Sequence, residues 1–295
     1  VNKSLPYLLL AAISFLSLPQ QIIAQESEQA EVEVVQKKKF ARIKSTEKKI
    51  MMKALRLIEK GEVDNENDVD EISDGIASLI ELGECVIPKC LTSFPRMAKV
   101  ERQQHLTRVL DSILLDDELH IALELCNRKT TNQVYAYLMQ RWTDSSREDR
   151  EEVLNNYLSI DDEAVQYHCV RGLIQLGDKL MVNACVKIID SQWKDNKQQL
   201  RNDFSGVSRG IMSELIAEKV STPNKKVRLL GLHLFELFGL KEDASILADN
   251  LNNSDTALRL GAINACRVVI GGELPLLRPS MTELIELATE WSSKI

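Results

Sequence analysis

The sequence predicts an all-α chain built from helix pairs that recur about every 31 residues. Three observations carry that expectation: a helix-favouring composition, an apolar stripe that repeatedly closes on glycine, and a second amphipathic run after each stripe. Apolar residues make up 44% of the 295, enough for a substantial core and too many for a disordered chain. Aromatics are only 5%, with 12 Gly and 7 Pro, too few strand and turn formers for a large β-sandwich or barrel.

The chain begins with a cationic Lys3 and an apolar run, Ser4 to Leu18, and reaches the small residue Ala24. That order is the grammar of a secretory signal peptide, so residues 1–24 are expected to direct export to a periplasmic or secreted location. The competing reading is an uncleaved anchor, but the run is short for a span of roughly 20 residues and is broken by Pro6 and Pro19. Ile22 is larger than usual two places before Ala24, and no cysteine near the cleavage point offers a lipid attachment. Residues 25–36, polar and acidic, are expected to form a flexible leader.

Residues 37–61 concentrate positive charge in an otherwise acidic chain of net charge −7. Lys37, Lys38, Lys39, Arg42, Lys44, Lys48, Lys49, Lys53, Arg56 and Lys60 face only Glu47 and Glu59. Ile43, Ile50, Met51, Ala54, Leu57 and Ile58 supply an apolar face, and Gly61 can end the helix. The expected role is an N-terminal cap for the repeats, with the lysines in solvent. The alternative is a candidate surface for an acidic partner or an anionic membrane, in peripheral contact. The overall negative charge disfavours nucleic acid as a partner.

Residues 62–295 carry the repeat. Ile76–Gly83, Cys169–Gly177 and Gly231–Gly239 end alike, and Ala262–Gly271 repeats the pattern with one residue inserted. Successive closing glycines lie 94, 62 and 32 residues apart, close to three, two and one periods. Weaker units are expected at Leu106–Leu115, Val134–Trp142 and Phe204–Gly210, giving about seven in all. Each closing glycine can take the left-handed cap conformation. Second helices are expected at Ile87–Phe94, Leu180–Ile189, Ala244–Leu251 and Met281–Trp291, and Ser254 or Asp255 can cap the helix that follows.

Lys226-Val227-Arg228 running to Phe238-Gly239, Asp255 with Leu258-Arg259 running to Gly271, and Asp162 with Val165-Gln166 running to Leu176-Gly177 resemble the HEAT repeat family. The arginine is lost in the third segment, and the opening unit has no Val-Arg pair. The resemblance implies a right-handed α-solenoid of about seven degenerate helix pairs, with second helices lining a concave face. It also implies a scaffold or adaptor that binds a protein partner without catalysis. The enzyme alternative is a lyase of the kind that carries HEAT-like repeats.

No other motif displaces that expectation. Cys169 and Cys266 fill small-residue slots of repeat helices, as buried thiols can. Cys85 and Cys90 are the one plausible local disulfide. Neither cysteines nor histidines show metal-ligand spacing, so no metal or cofactor is expected. An EF-hand loop starting at Asp64 fails, because Val69 and Gly75 stand where glycine and glutamate are needed; an acidic loop capping the next helix is expected. Gly206-Val207-Ser208-Arg209-Gly210 has the form of a nucleophile elbow, but polar, helix-forming residues precede it rather than a strand.

Overall fold

The computed structural model describes residues 39–60, 66–97 and 99–295. The expected signal segment, the leader, Lys37 and Lys38 lie outside the described residues, as does the stretch 61–65 that holds Asp64. Among the described residues every regular element is helical, and residues 39–295 form one compact unit.

Helix α1, Ser45–Lys60, starts later than the basic segment, so Lys39, Arg42 and Lys44 precede it in non-helical chain. Its buried stripe is Met51, Ala54, Leu55 and Ile58, spaced i, i+3, i+4, i+7 and packed against the next helices. The expected face is thereby corrected: Leu55 joins it, while Ile50 turns out and is 49% exposed. Helix α2, Glu66–Leu82, absorbs most of the acidic cluster, which is helix rather than loop from Glu66 on.

The remaining helices follow in pairs. They are α2 with α3 (Ile87–Ser93), α4 (Val100–Ile113) with α5 (Leu119–Glu124), and α6 (Asn132–Asp144) with α7 (Arg150–Tyr157). Then come α8 (Glu163–Gln175) with α9 (Val182–Asp203), α10 (Ser213–Ser221), α11 (Lys225–Phe238) with α12 (Ala248–Leu251), and α13 (Thr256–Cys266) with α14 (Met281–Ser292). First helices pack on first helices, α2 on α4, α6 on α8 and α11 on α13, and α12 packs on α14. That side-by-side packing is what recurring helix pairs require, since no pair can bury its apolar faces alone.

The unit expected at Phe204–Gly210 is displaced. Those residues are turns, not a helix. Helix α9 breaks at Asn196, which leaves helical geometry at φ −124°, ψ 26°. The part after the break serves as the missing first helix, burying Leu200, and α10 is its second. No glycine or proline marks the break, so the apolar pattern alone set the expected unit too late.

The closing glycines divide. Gly83 and Gly177 have φ of 69° and 87°, as expected. Gly239 instead has φ −64° and ψ 149°, so its role is clearance: a Cβ there would lie 2.6 Å from Phe235 O. In the last unit the extra residue opens a π-helical turn, Arg267–Gly271, and the positive φ passes to Gly272. A one-residue insertion in an α-helix is accommodated in this way.

Local hydrogen bonds repeat along with the helices. Asp162, Asn224 and Asp255 each accept two backbone N–H bonds at the start of α8, α11 and α13. Arg228 Nε donates to Thr222 O at 2.7 Å, six residues back. Gln166 makes the same reach to Ile160 O at 3.1 Å, and Gln103 to Met97 O at 2.9 Å. The glutamine that stands in place of the repeat arginine therefore does the same job with an amide.

Buried side chains form two clusters that meet at α8: Val165, Cys169 and Leu173 belong to one, Val170 and Ile174 to the other. A polar network crosses that junction. Arg171 reaches Asp144 of α6 at 2.6 Å and Asp203 of α9 at 3.0 Å, and the Tyr167 hydroxyl donates to Asp203. The same Tyr-Arg arrangement occurs thirty residues earlier, where Tyr137 and Arg141 both donate to Asp111 of α4. Arg201, thirty residues later, pairs with Glu236 of α11 at 2.5 Å. Arg141, Arg171 and Arg201 thus tie neighbouring first helices together by ion pairs at a fixed spacing.

Candidate functional site

Around its break at Asn196, α9 lines an open groove of about 380 Å³ together with α11 and α13. That volume lies in the range of ligand-binding clefts. Four cations line it, Lys194, Lys197, Arg201 and Lys226, against two acids, Asp190 and Glu236. This is a local reversal in a chain of net charge −7.

The acids are already engaged. Glu236 is buried and pairs with Arg201, whose guanidinium also lies over the Trp193 ring at 5.4 Å. Asp190 faces Lys226 at 3.6 Å. Among the described residues no acid pairs with Lys194 or Lys197, which flank the break at Asn196, both line the groove and are both exposed. The His233 ring stacks on Trp193 at 4.3 Å between centroids, with planes 16° apart. Burial, then the charges of Lys197 and Arg201, lower its pKa to about 3, so it stays neutral.

The groove's apolar wall comes from Leu229 and Leu230 of α11, Leu260 of α13 and the chain after the π turn. That chain is clamped. Asn264 accepts from Leu276 N at 2.7 Å and donates to Leu276 O at 3.2 Å, while Arg267 Nε donates to Leu274 O at 3.0 Å. The clamp holds Leu277 at the rim with 83% of its surface exposed. Because that backbone is already held, covering Leu277 does not bear the cost of ordering the chain that carries it.

The residues singled out in the sequence lie elsewhere. Lys39, Arg42, Lys44, Lys48, Lys49, Lys53 and Arg56 are all exposed on α1 or just before it, and none lines the groove. Lys44 pairs with Glu47 at 3.5 Å, and Lys53 shares a cleft with Glu71, Asp74 and Glu81, so acidic α2 offsets part of the charge of α1. Cys85 and Cys90 are free thiols, which corrects the disulfide expectation. A helical step of five residues points two side chains more than about 120° apart. Cys90 is buried and its pKa is pushed up to about 12, and Cys169, Cys185 and Cys266 are raised as far by burial.

Ser208 is exposed in a turn that follows helix, not strand, and its hydroxyl donates to the adjacent Arg209 carbonyl at 3.5 Å. The strained strand-to-helix corner of a nucleophile elbow is therefore missing at this site. Among the described residues no three His, Cys, Asp or Glu side chains gather where they could hold a metal ion. No helix among them is long and apolar enough to cross a membrane.

The buried histidines give a pH signature. His168 is lowered to about 4 and His233 to about 3, burial being the main cause in both. Below about pH 6.5 the unfolded chain takes up protons that the folded chain refuses, so their contribution is lost as pH falls. Raised carboxyls at Glu236 and Asp144 act in the opposite sense, since the folded chain holds their protons more tightly. Comparing His233→Gln with the parent isolates the contribution of His233. Between pH 7 and 5 the parent is expected to lose about 2 kcal/mol more stability than the variant in urea unfolding.

No protein-family model matches the chain, and no curated protein matches it significantly.

Proposed function

We propose that the chain is an exported, non-catalytic adaptor, a right-handed helical-repeat solenoid of the HEAT kind that binds a protein partner through the groove on α9, α11 and α13. The observation that carries this reading is a cleft built by adjoining helix pairs whose internal charges are satisfied while Lys194 and Lys197 stay unpaired. Such a cleft is preformed, so binding does not bear the cost of ordering it. Repeated helix pairs, shared capping and the ion pairs between first helices support the solenoid. Export rests on the grammar of residues 1–24.

A second reading has its own support: Lys48, Lys49, Lys53 and Arg56 are exposed on α1 around the protruding Ile50, which suits an anionic membrane surface. Affinity capture from the native envelope separates the two. The Lys194→Glu/Lys197→Glu variant is expected to lose a stoichiometric protein that the parent and a Lys48→Glu/Lys49→Glu variant both retain. Loss of that protein in the α1 variant alone, or recovery of lipid in place of protein, would reject the groove.

A further inference from the structure

We infer that the groove on α9, α11 and α13 takes an acidic peptide segment that carries at least one bulky apolar side chain, seated between Lys194 and Lys197 on one side and Leu277 on the other. The inference rests on the adaptor reading and names the chemistry of the partner.

Charge complementarity selects an anion. Of the groove's four cations, Arg201 is neutralised by Glu236 and Lys226 faces Asp190, which leaves two ammonium groups lining the groove for an incoming charge. Leu229, Leu230 and Leu260 are partly open to solvent behind them, and Leu277 is almost wholly exposed at the rim. A small inorganic anion would leave that wall wet. A ligand with carboxylates beside an apolar group covers it and gains the burial.

Nucleic acid fits less well. Single strands are bound by aromatic platforms as well as cations, and the groove's one aromatic, Trp193, is buried with its face already stacked on His233. Two free lysines are also few for a polyanion approaching an acidic chain. A peptide asks for less: two charges and one apolar anchor, held against a wall that hydrogen bonds from Asn264 keep in place.

A random peptide library selected on the full chain tests this, followed by fluorescence anisotropy with labelled synthetic copies and a labelled single-stranded oligonucleotide beside them. The Lys194→Glu/Lys197→Glu and Leu277→Asp variants alter exposed side chains, and circular dichroism checks that they fold. Enrichment of acidic sequences with spaced apolar residues is expected, each variant weakening them by roughly tenfold or more. Raising salt to about 0.5 M should weaken binding to the parent as well. Groove-dependent peptides that are neutral or basic would overturn the inference and leave the adaptor reading standing. Tighter groove-dependent binding of the oligonucleotide would overturn both. So would peptides indifferent to the two variants, or no peptides at all.

Discussion

Arg171→Met is expected to cost about 3 kcal/mol of stability, measured by urea unfolding. The side chain is only 7% exposed and bridges Asp144 and Asp203, where the two halves of the core meet on α8. The two acids differ in what they would suffer. Asp144 is 52% exposed, so water can replace the guanidinium there, whereas Asp203 is 11% exposed and would be left charged within the interface. Tyr167 and Gln199 would still donate to Asp203, which keeps the cost near the lower end for a broken buried pair. Adding Asp203→Asn removes the stranded charge but keeps an acceptor for Tyr167. The double variant should therefore be more stable than the sum of the two single effects. Simple additivity would mean that Arg171 and Asp203 do not act as one unit.

Gly231→Leu is expected to cost more than about 3 kcal/mol, for a different reason. Gly231 lies on the face of α11 that meets α10, and a Cβ there would stand 2.8 Å from Val220 N and 2.9 Å from Lys219 C. Both are backbone atoms, so no side chain can rotate away and the two helices must part. Gly172→Ala is a useful contrast. Its closest obstacles are both side-chain atoms, Leu154 Cδ1 at 2.4 Å and Thr143 Oγ1 at 2.8 Å, which can give way where the α10 backbone cannot. The ordering expected from thermal or urea melts is Gly231→Leu worst, Gly231→Ala intermediate and Gly172→Ala mildest. A mild Gly231→Leu would mean that α10 and α11 do not approach this closely.

How far the sequence carried the fold depended on whether a feature leaves an apolar period behind. Stripes such as Gly231–Gly239 announce α11 because burial of one face demands them, and α14 matches its expected bounds within a residue. The break in α9 left no such trace, because Asn196 is an unremarkable residue between two helix-forming stretches, so the unit after it was set too late. Arg141, Arg171 and Arg201 were missed as structural residues because a lone arginine reads as surface charge. Their spacing of thirty, with Tyr137 and Tyr167 four places before two of them, is a signal the sequence does contain.

The groove was less legible than the fold. Its four cations are fewer than those of residues 37–60 and are interspersed with Asp190, Asp195 and Glu236, so composition drew attention to α1 instead. First helices supply most of the groove: Lys197 and Arg201 follow the break in α9, and α11 and α13 form the opposite wall, while Asp190, Trp193 and Lys194 come from the part of α9 before the break. Leu277 reaches the rim because of the π turn and the Asn264 clamp, neither of which follows from helical periodicity.

Site-specific photocrosslinking tests the groove most directly. Leu277 at the groove rim and Leu180 away from it are both 83% exposed, so a photoreactive residue placed at either position sees the same solvent. In the native cell, position 277 is expected to give one discrete protein adduct that Lys194→Glu/Lys197→Glu abolishes, and position 180 to give none. Adducts at 180 as strong as those at 277, or an adduct at 277 that survives the charge reversal, would contradict the account.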